Sequence, residues 1–115
     1  MRTPYLDLRN IMQRERARTE SIKYKYNEDW ALEEVKAYID NTYDQHYSQH
    51  KFQTTEFIID SGHGVGFCIG NIMKYAQRYG KKGGCDRTDI MKIIHYAIFL
   101  LYTHDSQLEE LPHED

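Results

Sequence analysis

The residues best suited to chemistry lie between positions 67 and 96, where cationic, amide and phenolic side chains recur at helical spacing. At 100° per residue, Asn71, Lys74 and Arg78 stack on one face of a helix predicted over about 66–79. Lys81 and Lys82 follow directly after the predicted end of this helix. The opposite face is apolar and is expected to be core; it holds Ile69, Ile72, Met73 and Ala76.

A second helix, predicted over about 88–103, has the same two-sided pattern. Asp89, Lys92 and Tyr96 share one face, and an expected core face holds Ile90, Ile94, Ala97, Ile98 and Leu101. If the two helices form a hairpin, their polar strips flank a groove that also contains Tyr75. Such a groove suits a nucleotide, because Lys and Arg bind phosphate, Tyr stacks on a base, and Asp binds a hydroxyl, a proton or Mg²⁺. A polar strip opposite an apolar strip is also typical of any surface helix, so spacing alone leaves both interpretations open.

The remaining pattern predicts a small all-α domain with a C-terminal helical hairpin. One helix is expected over about 5–19, and another begins after Asn27, an N-cap residue followed by acidic residues in the first turn. Gly80 is expected to end the third helix, and Asp86 or Thr88 to cap the fourth. The segment 56–60 fits either a helical turn or a short strand. The fourth helix is apolar nearly all round, which predicts a homo-oligomer.

Composition limits the classes of protein that the chain can represent. It has 115 residues, 40% of them hydrophobic and 29% charged, which is typical of one globular domain. The net charge of −3 argues against a protein that coats nucleic acid, but residues 61–104 carry six basic and two acidic groups. We expect one domain over 1–104 and a disordered acidic tail over 105–115. No membrane span is predicted, and two cysteines without a CxxC pattern favour a reducing cytoplasm.

The run FCIGNIMKYAQRYGKKGG, with His46 and Tyr47 upstream and DIMKIIHYAIF downstream, resembles the SaV-like phage protein family. That family has a GN-x-x-KY-x-x-R-x-x-K-K core followed by D-x-x-K-x-x-x-Y, and it is described as nucleotide kinase-like. The resemblance covers about residues 45–103. It implies a phage protein of nucleotide metabolism that works in the host cytoplasm.

The resemblance implies a deoxynucleoside monophosphate kinase that uses ATP and Mg²⁺. GxxxxGK[ST] is absent, so such a kinase would hold phosphate with side-chain cations instead of a P-loop. Lys74 and Asp89 are then the catalytic candidates, with Asp89 also the candidate Mg²⁺ ligand, and Tyr75 or Tyr96 is expected to stack on the base. The candidate phosphate-binding residues are Asn71, Lys74, Arg78, Lys81, Lys82 and Lys92.

Three other functions compete with a kinase. The same cationic groove suits a non-catalytic nucleotide-binding protein, such as a sponge for a cyclic-nucleotide signal of host defence. An all-α nucleoside triphosphate pyrophosphohydrolase of the MazG type needs an E-x-x-E pair and a later E-x-x-D, which Glu33, Glu34, Glu56 and Asp60 do not supply. An oligomeric interaction protein is the third. Membrane and nucleic-acid partners are not expected.

Overall fold

The computed structural model describes residues 10–14, 16, 22–45 and 48–110, and every regular element among them is helical. The helices are α1 (Glu28–Tyr43), α2 (Ser48–Ile58), α3 (Gly64–Arg78) and α4 (Arg87–Glu110). The segment Ile59–His63, called here the π-helical turn, joins α2 to α3 and is kinked at Gly62, which has a φ of 89°. Residues 10–14 are also helical, and the rest of the helix predicted over 5–19, except residue 16, lies outside the described residues, as do His46 and Tyr47. The all-α prediction is confirmed. Among the described helices, none has the length and apolarity to cross a membrane.

The chain divides into two compact units, Met1–Leu32 and Glu33–Asp115. In the first unit, α1 begins directly after Asn27, as predicted, and Asn27 adopts a left-handed backbone with φ 57°. The Asn27 carbonyl accepts the Ala31 N–H at 2.9 Å, and the Glu28 carboxylate accepts the Tyr26 N–H at 2.7 Å. Acidic residues in this first turn favour the helix because they face the positive end of its dipole. The second unit contains the rest of α1 and all of α2, α3 and α4.

The turn between α3 and α4 makes the predicted helical hairpin. Past the end of α3 at Arg78, Gly80 takes a φ of 83°, which favours glycine, and its N–H donates to the Gly84 carbonyl at 3.0 Å. The Asp86 carboxylate then accepts the Thr88 N–H at 2.9 Å and caps α4. Gly80 and Asp86 therefore have the roles expected from the sequence.

The faces that meet between α3 and α4 are the reverse of those predicted. The polar strip of α4 is buried against α3, and its buried members include Asp89, Tyr96 and Thr103. The expected core strips are largely exposed; their exposed members include Ile69, Met73, Ile90, Ile98 and Leu101. Periodicity separates the two faces of a helix, but it does not say which face the hairpin turn directs inward. Aromatic rings on the polar strips supply the apolar area that this packing needs.

The segment Ser48–Ile58 is helical, although its residues lack a clear helical period. In α2, the hydroxyls of Thr54 and Thr55 donate to the backbone carbonyls of His50 and Lys51 at 3.0 Å. These bonds satisfy the two hydroxyls within the helix. The segment 56–60 belongs to α2 and the π-helical turn, which resolves the choice between helix and strand.

Helix α4 is longer than predicted. It continues to Glu110 instead of ending near Thr103, so the first residues of the expected disordered tail are helical. Gln107, Leu108 and Glu109 are good helix formers, and the Ser106 hydroxyl donates to the Tyr102 carbonyl at 2.9 Å. The prediction of disorder from 105 is wrong for 105–110, and residues 111–115 lie outside the described residues.

The start of α3 passes so close to α4 that only glycine fits without adjustment. A Cβ on Gly64 would lie 3.0 Å from Thr103 Cγ2 and 3.1 Å from Ile59 Cγ1, whereas a Cβ on Gly66 would meet nothing within 4 Å. Thr103 is buried and its hydroxyl donates to the Phe99 carbonyl, so it cannot easily shift to make room for a Cβ on Gly64. Close backbone approach is what Gly64 contributes to the hairpin.

We predict that Gly64→Ala and Gly66→Ala change stability in opposite directions. Overpacking at Gly64 should lower the free energy of unfolding by about 1 kcal/mol after the gain in helix propensity. Gly66→Ala should raise it by up to about 1 kcal/mol, because only the propensity gain applies. Urea denaturation followed by circular dichroism measures both. Equal effects of the two substitutions would contradict the close approach at Gly64.

Candidate functional site

A pair of stacked tyrosine rings forms the centre of the α3–α4 contact. The rings of Tyr75 on α3 and Tyr96 on α4 lie 6.1 Å apart between centroids and are inclined by only 13°. The edges of Phe67 and Phe99 meet the Tyr96 ring, each at 5.7 Å. Tyr96 is buried at 7% exposure, whereas Tyr75 is half-buried. Burial raises the pKa of the Tyr96 phenol, so this hydroxyl stays protonated at neutral pH.

Three lysines from three helices converge on these rings. The ammonium groups of Lys92 and Lys74 lie 4.9 Å and 5.2 Å from the Tyr75 centroid, and that of Lys51 lies 5.8 Å from the Tyr96 centroid. We refer to Lys51, Lys74 and Lys92 as the lysine cluster. Within the described part of the chain, no carboxylate lies within 4.0 Å of these ammonium groups. The cluster is thus a concentration of positive charge supported by ring faces instead of counter-ions.

The sequence pattern found two members of the cluster and missed the third. Lys74 and Lys92 belong to the polar strips of α3 and α4, which the helical spacing identifies. Lys51 lies on α2, where no periodic signal marks an inward face. Lys51 reaches the Tyr96 ring only because of how α2 packs against the hairpin. This packing cannot be predicted from a local sequence pattern.

Arg78 on α3 and Asp89 on α4 form an ion pair next to the turn of the hairpin. Arg78 Nε lies 3.6 Å from Asp89 Oδ1, with the Asp89 side chain 5% exposed and the Arg78 side chain 43% exposed. Asp89 Oδ2 is buried and, within the described residues, has no hydrogen-bond partner. A buried acceptor left in this state costs about 1–3 kcal/mol. The guanidinium keeps exposed N–H groups that can bind an anion.

The other predicted phosphate-binding residues take different positions. Asn71 is half-buried, and its side-chain N–H donates to the Phe67 carbonyl at 2.9 Å, which uses one of its two amide donors inside α3. Lys81 and Lys82 are exposed in the turn after α3, where their backbone N–H groups donate to the Arg78 carbonyl. The structure therefore brings together Lys74, Tyr75, Lys92 and Tyr96, with Arg78 and Asp89 at the same helical interface, but no contact joins Lys81 or Lys82 to the cluster.

The two candidate base-stacking residues differ in how accessible their rings are. Tyr96 is enclosed by Tyr75 and two phenylalanine edges, so a base cannot stack on it unless Tyr75 moves. Tyr75 is the more accessible ring, and it already carries two ammonium groups close to it. Of the two, Tyr75 is better placed to contact a ligand.

Metal binding finds little support in the side chains present. Among the described residues, no three His, Cys, Asp or Glu side chains form a group that could hold a metal ion. Asp86 caps α4, and Asp89 faces Arg78. Mg²⁺ is commonly held by one or two carboxylates together with substrate phosphates, so Asp89 alone fits only a metal that arrives with a nucleotide.

The carboxylates that a MazG-type hydrolase would need serve other purposes. The Glu34 carboxylate is bonded to the Arg87 guanidinium, which lowers the pKa of Glu34. Glu33, Glu56 and Asp60 are exposed. Their arrangement does not resemble a shared metal site within the described residues.

The comparisons with known proteins identify one family. Residues 41–98, about half of the chain, match the family model described as a protein of unknown function, DUF3310. The chain belongs to this family. The matched range includes Lys51 and extends past Tyr96, so the lysine cluster and the tyrosine stack both lie inside it. No curated protein and no solved structure matches the chain.

A buried histidine lies next to the cluster. His95 packs against Phe99 at 4.4 Å between ring centroids, with Tyr38 and Phe52 on its edges at 6.1 Å and 6.3 Å. Burial is the main cause that lowers the pKa of His95, and the charge on Lys51 lowers it further. In the folded protein, the His95 imidazole therefore stays neutral at pH values just below the usual pKa of histidine.

We predict that His95 makes the protein less stable as the pH falls below about 6.5, the usual pKa of an unfolded histidine. There the unfolded chain takes up a proton that folded His95 resists, so acid favours unfolding until His95 itself titrates. His95→Phe should reduce this loss, and Lys51→Met should reduce it partly. Urea midpoints measured between pH 7 and pH 5 test this. An identical pH dependence in the wild type and His95→Phe would contradict it.

Proposed function

We propose that the protein binds a nucleotide through the lysine cluster. The observation that carries the proposal is the convergence of Lys51, Lys74 and Lys92 on the tyrosine stack without a carboxylate partner in the described residues. Three positive charges beside the same pair of rings favour a ligand that carries several negative charges. Phosphate groups bring that charge and accept hydrogen bonds from ammonium donors.

The aromatic and polar groups beside the cluster favour a nucleotide over a simple phosphate ion. Tyr75 presents a partly open ring beside the ammonium groups, which suits an aromatic base or a sugar face. The Arg78 side chain is 43% exposed, so its guanidinium can donate hydrogen bonds to phosphate oxygens. The proposal includes the setting that the resemblance implies, a phage protein acting in the host cytoplasm.

A deoxynucleoside monophosphate kinase is the second candidate, and Asp89 is the observation that favours it. A kinase would move the γ-phosphoryl group of ATP to a phosphate oxygen of the monophosphate, giving ADP and a nucleoside diphosphate. Catalysis of this step rests on positioning and on neutralising the charge of the phosphoryl oxygens, which Lys74 and Arg78 could do. Mg²⁺ would be held by the nucleotide phosphates with Asp89 as its protein ligand. Non-catalytic binding needs neither Asp89 nor the metal.

The proposal also includes a homo-oligomer. Ile90, Ile98 and Leu101 on α4 are exposed although they are large and aliphatic. Surfaces of this kind in a small domain mark contacts with other molecules. A nucleotide-binding protein with such a surface is expected to work as an assembly.

We predict that Lys74→Ala and Lys92→Ala each weaken nucleotide binding about tenfold or more, since each removes a charge-assisted contact. Lys36→Ala is the matched control, because Lys36 is exposed on α1 and pairs with Asp40 at 2.8 Å. Isothermal titration with ATP, each deoxynucleoside monophosphate and a cyclic dinucleotide measures the affinities. A ligand at 100 times its Kd should add about 2.7 kcal/mol to the stability, which a thermal shift detects. If no nucleotide shifts Tm, the binding proposal fails.

We predict that Asp89→Asn separates the kinase from the binder. Incubation of the protein with ATP and each deoxynucleoside monophosphate, with and without Mg²⁺, is followed by chromatography of the products. A kinase should form ADP and a diphosphate only with Mg²⁺, and Asp89→Asn should abolish this turnover while Asp40→Asn preserves it. Tight binding without product, unchanged in Asp89→Asn, would instead favour the non-catalytic protein. Circular dichroism confirms that both variants are folded.

A further inference from the structure

An open pocket of about 410 Å³ lies between α2 and α4, next to the end of α1. Its apolar lining consists of four rings and two isoleucines: Tyr43, Phe52, Phe99, Tyr102, Ile59 and Ile98. The Tyr43 ring stacks on the Phe52 ring at 4.3 Å between centroids, with an angle of 22° between the planes. Phe99 meets the Phe52 ring edge-on at 6.3 Å. We refer to this site as the aromatic pocket, and every residue that lines it belongs to the second unit of the chain.

Two carboxylates also line the aromatic pocket. Glu56 on α2 and Asp60 on the π-helical turn are four residues apart, which places them on one side of the helical segment, and both are exposed. No Lys, Arg or His nitrogen of the described residues lies within 4.0 Å of either carboxylate. None of the lining side chains is basic, so every charged side chain that lines this pocket is negative.

The remaining polar residue of the lining, Thr55, does not offer a donor to a ligand. Thr55 is 5% exposed, and its hydroxyl donates to the Lys51 carbonyl within α2 at 3.0 Å. The hydroxyl proton is therefore already in use, and the oxygen can only accept a further hydrogen bond. The pocket is thus rich in acceptors and poor in donors.

This combination of groups favours an organic cation over other ligands. Carboxylates repel an anion, so a phosphate compound does not suit this pocket. A bare metal ion needs several oxygen ligands, and no three His, Cys, Asp or Glu side chains of the described chain form such a group. The faces of aromatic rings attract organic cations, and the rings and isoleucines also provide an apolar surface for methylene groups. An organic cation uses the rings and the carboxylates at the same time.

We propose that the aromatic pocket binds a small aliphatic amine that carries two ammonium groups. The methylene chain packs on the Phe52 and Phe99 rings, and the ammonium groups donate hydrogen bonds to Glu56 and Asp60. Two negative charges beside one pocket favour a ligand with two positive charges. The volume is in the range of small-molecule sites, about 300–1,000 Å³. The pocket and the lysine cluster have no residue in common, so this site is independent of the nucleotide proposal.

The test is isothermal titration of the full chain and its variants with 1,4-diaminobutane, without nucleotide. Glu56→Gln and Asp60→Asn should each weaken binding about tenfold or more, because each removes a charge-assisted hydrogen bond. Tyr102→Ala should weaken it about two- to fivefold, through loss of an exposed ring beside the cation. Glu33→Gln is the matched control, since it makes the same change of charge at an exposed position on α1 and should keep the wild-type affinity. Circular dichroism confirms that the variants are folded.

Two further ligands separate the contributions of charge and chain. The monoamine 1-aminobutane has the same methylene chain with one charge, and it should bind at least about tenfold more weakly than the diamine. Mg²⁺ has two charges but no methylene groups, so an equal concentration of Mg²⁺ should leave diamine binding unchanged. Lys74→Ala and Lys92→Ala should keep the affinity for the diamine, and Glu56→Gln should keep any affinity for nucleotides, so the two proposals fail separately.

Three results would overturn the proposed site. The first is that 1,4-diaminobutane at millimolar concentration gives no heat of binding and no shift of Tm. The second is that Glu33→Gln weakens binding as much as Glu56→Gln, which would mean that the diamine responds only to net charge. The third is that an amidated N-acetyl-lysine binds as tightly as the diamine, which would assign the pocket to a basic side chain of a partner protein.

Discussion

The packing of α3 against α4 through polar and aromatic side chains is the contact on which the rest of the structure depends. Helices of small domains usually meet through aliphatic residues, but here stacked Tyr75 and Tyr96 occupy the centre and the Arg78–Asp89 pair lies near the turn. The tyrosine rings contribute apolar area to this contact. Gly64 allows the other end of the hairpin to approach equally closely. The contact between α3 and α4, called the seam below, thus extends from the turn to the start of α3.

This seam explains why three lysines gather in one place. A ring face attracts an ammonium group through its quadrupole, by about 0.5–1 kcal/mol at an exposed position. That attraction places the ammonium groups of Lys74 and Lys92 beside the Tyr75 ring and that of Lys51 beside the Tyr96 ring. Burial lowers the pKa of His95, and the nearby charge on Lys51 lowers it further. The aromatic seam therefore supports both the hairpin and the charged surface beside it.

Much of the fold could be predicted from local signals. Asn27, Gly80 and Asp86 each lie at the helix end where their type is favoured, and the all-α class follows from the helical spacing between them. The inward faces could not be predicted, because an aliphatic strip indicates burial but not whether the partner is in the same chain. For the site, spacing identified Lys74 and Lys92, but Lys51 depends on tertiary packing. Helix α2 lacks a clear periodic pattern of apolar residues, so neither its helical state nor its inward face could be predicted.

The reversal of the faces carries a physical consequence for α4. An isolated domain that buried Asp89 and exposed Leu101 would lose on both sides, because the carboxylate is desolvated and the aliphatic side chain stays in water. The Arg78–Asp89 pair adds little stability by itself, since Arg78 is 43% exposed and desolvation of Asp89 cancels much of the attraction. What the pair does offer is register: it fixes which turn of α4 lies against the end of α3 and holds Arg78 near the cluster. Because these polar contacts set the register inside the chain, the inner face of α4 is occupied by Asp89 and Tyr96, and the large aliphatic side chains of Ile90, Ile98 and Leu101 stay exposed on its other side.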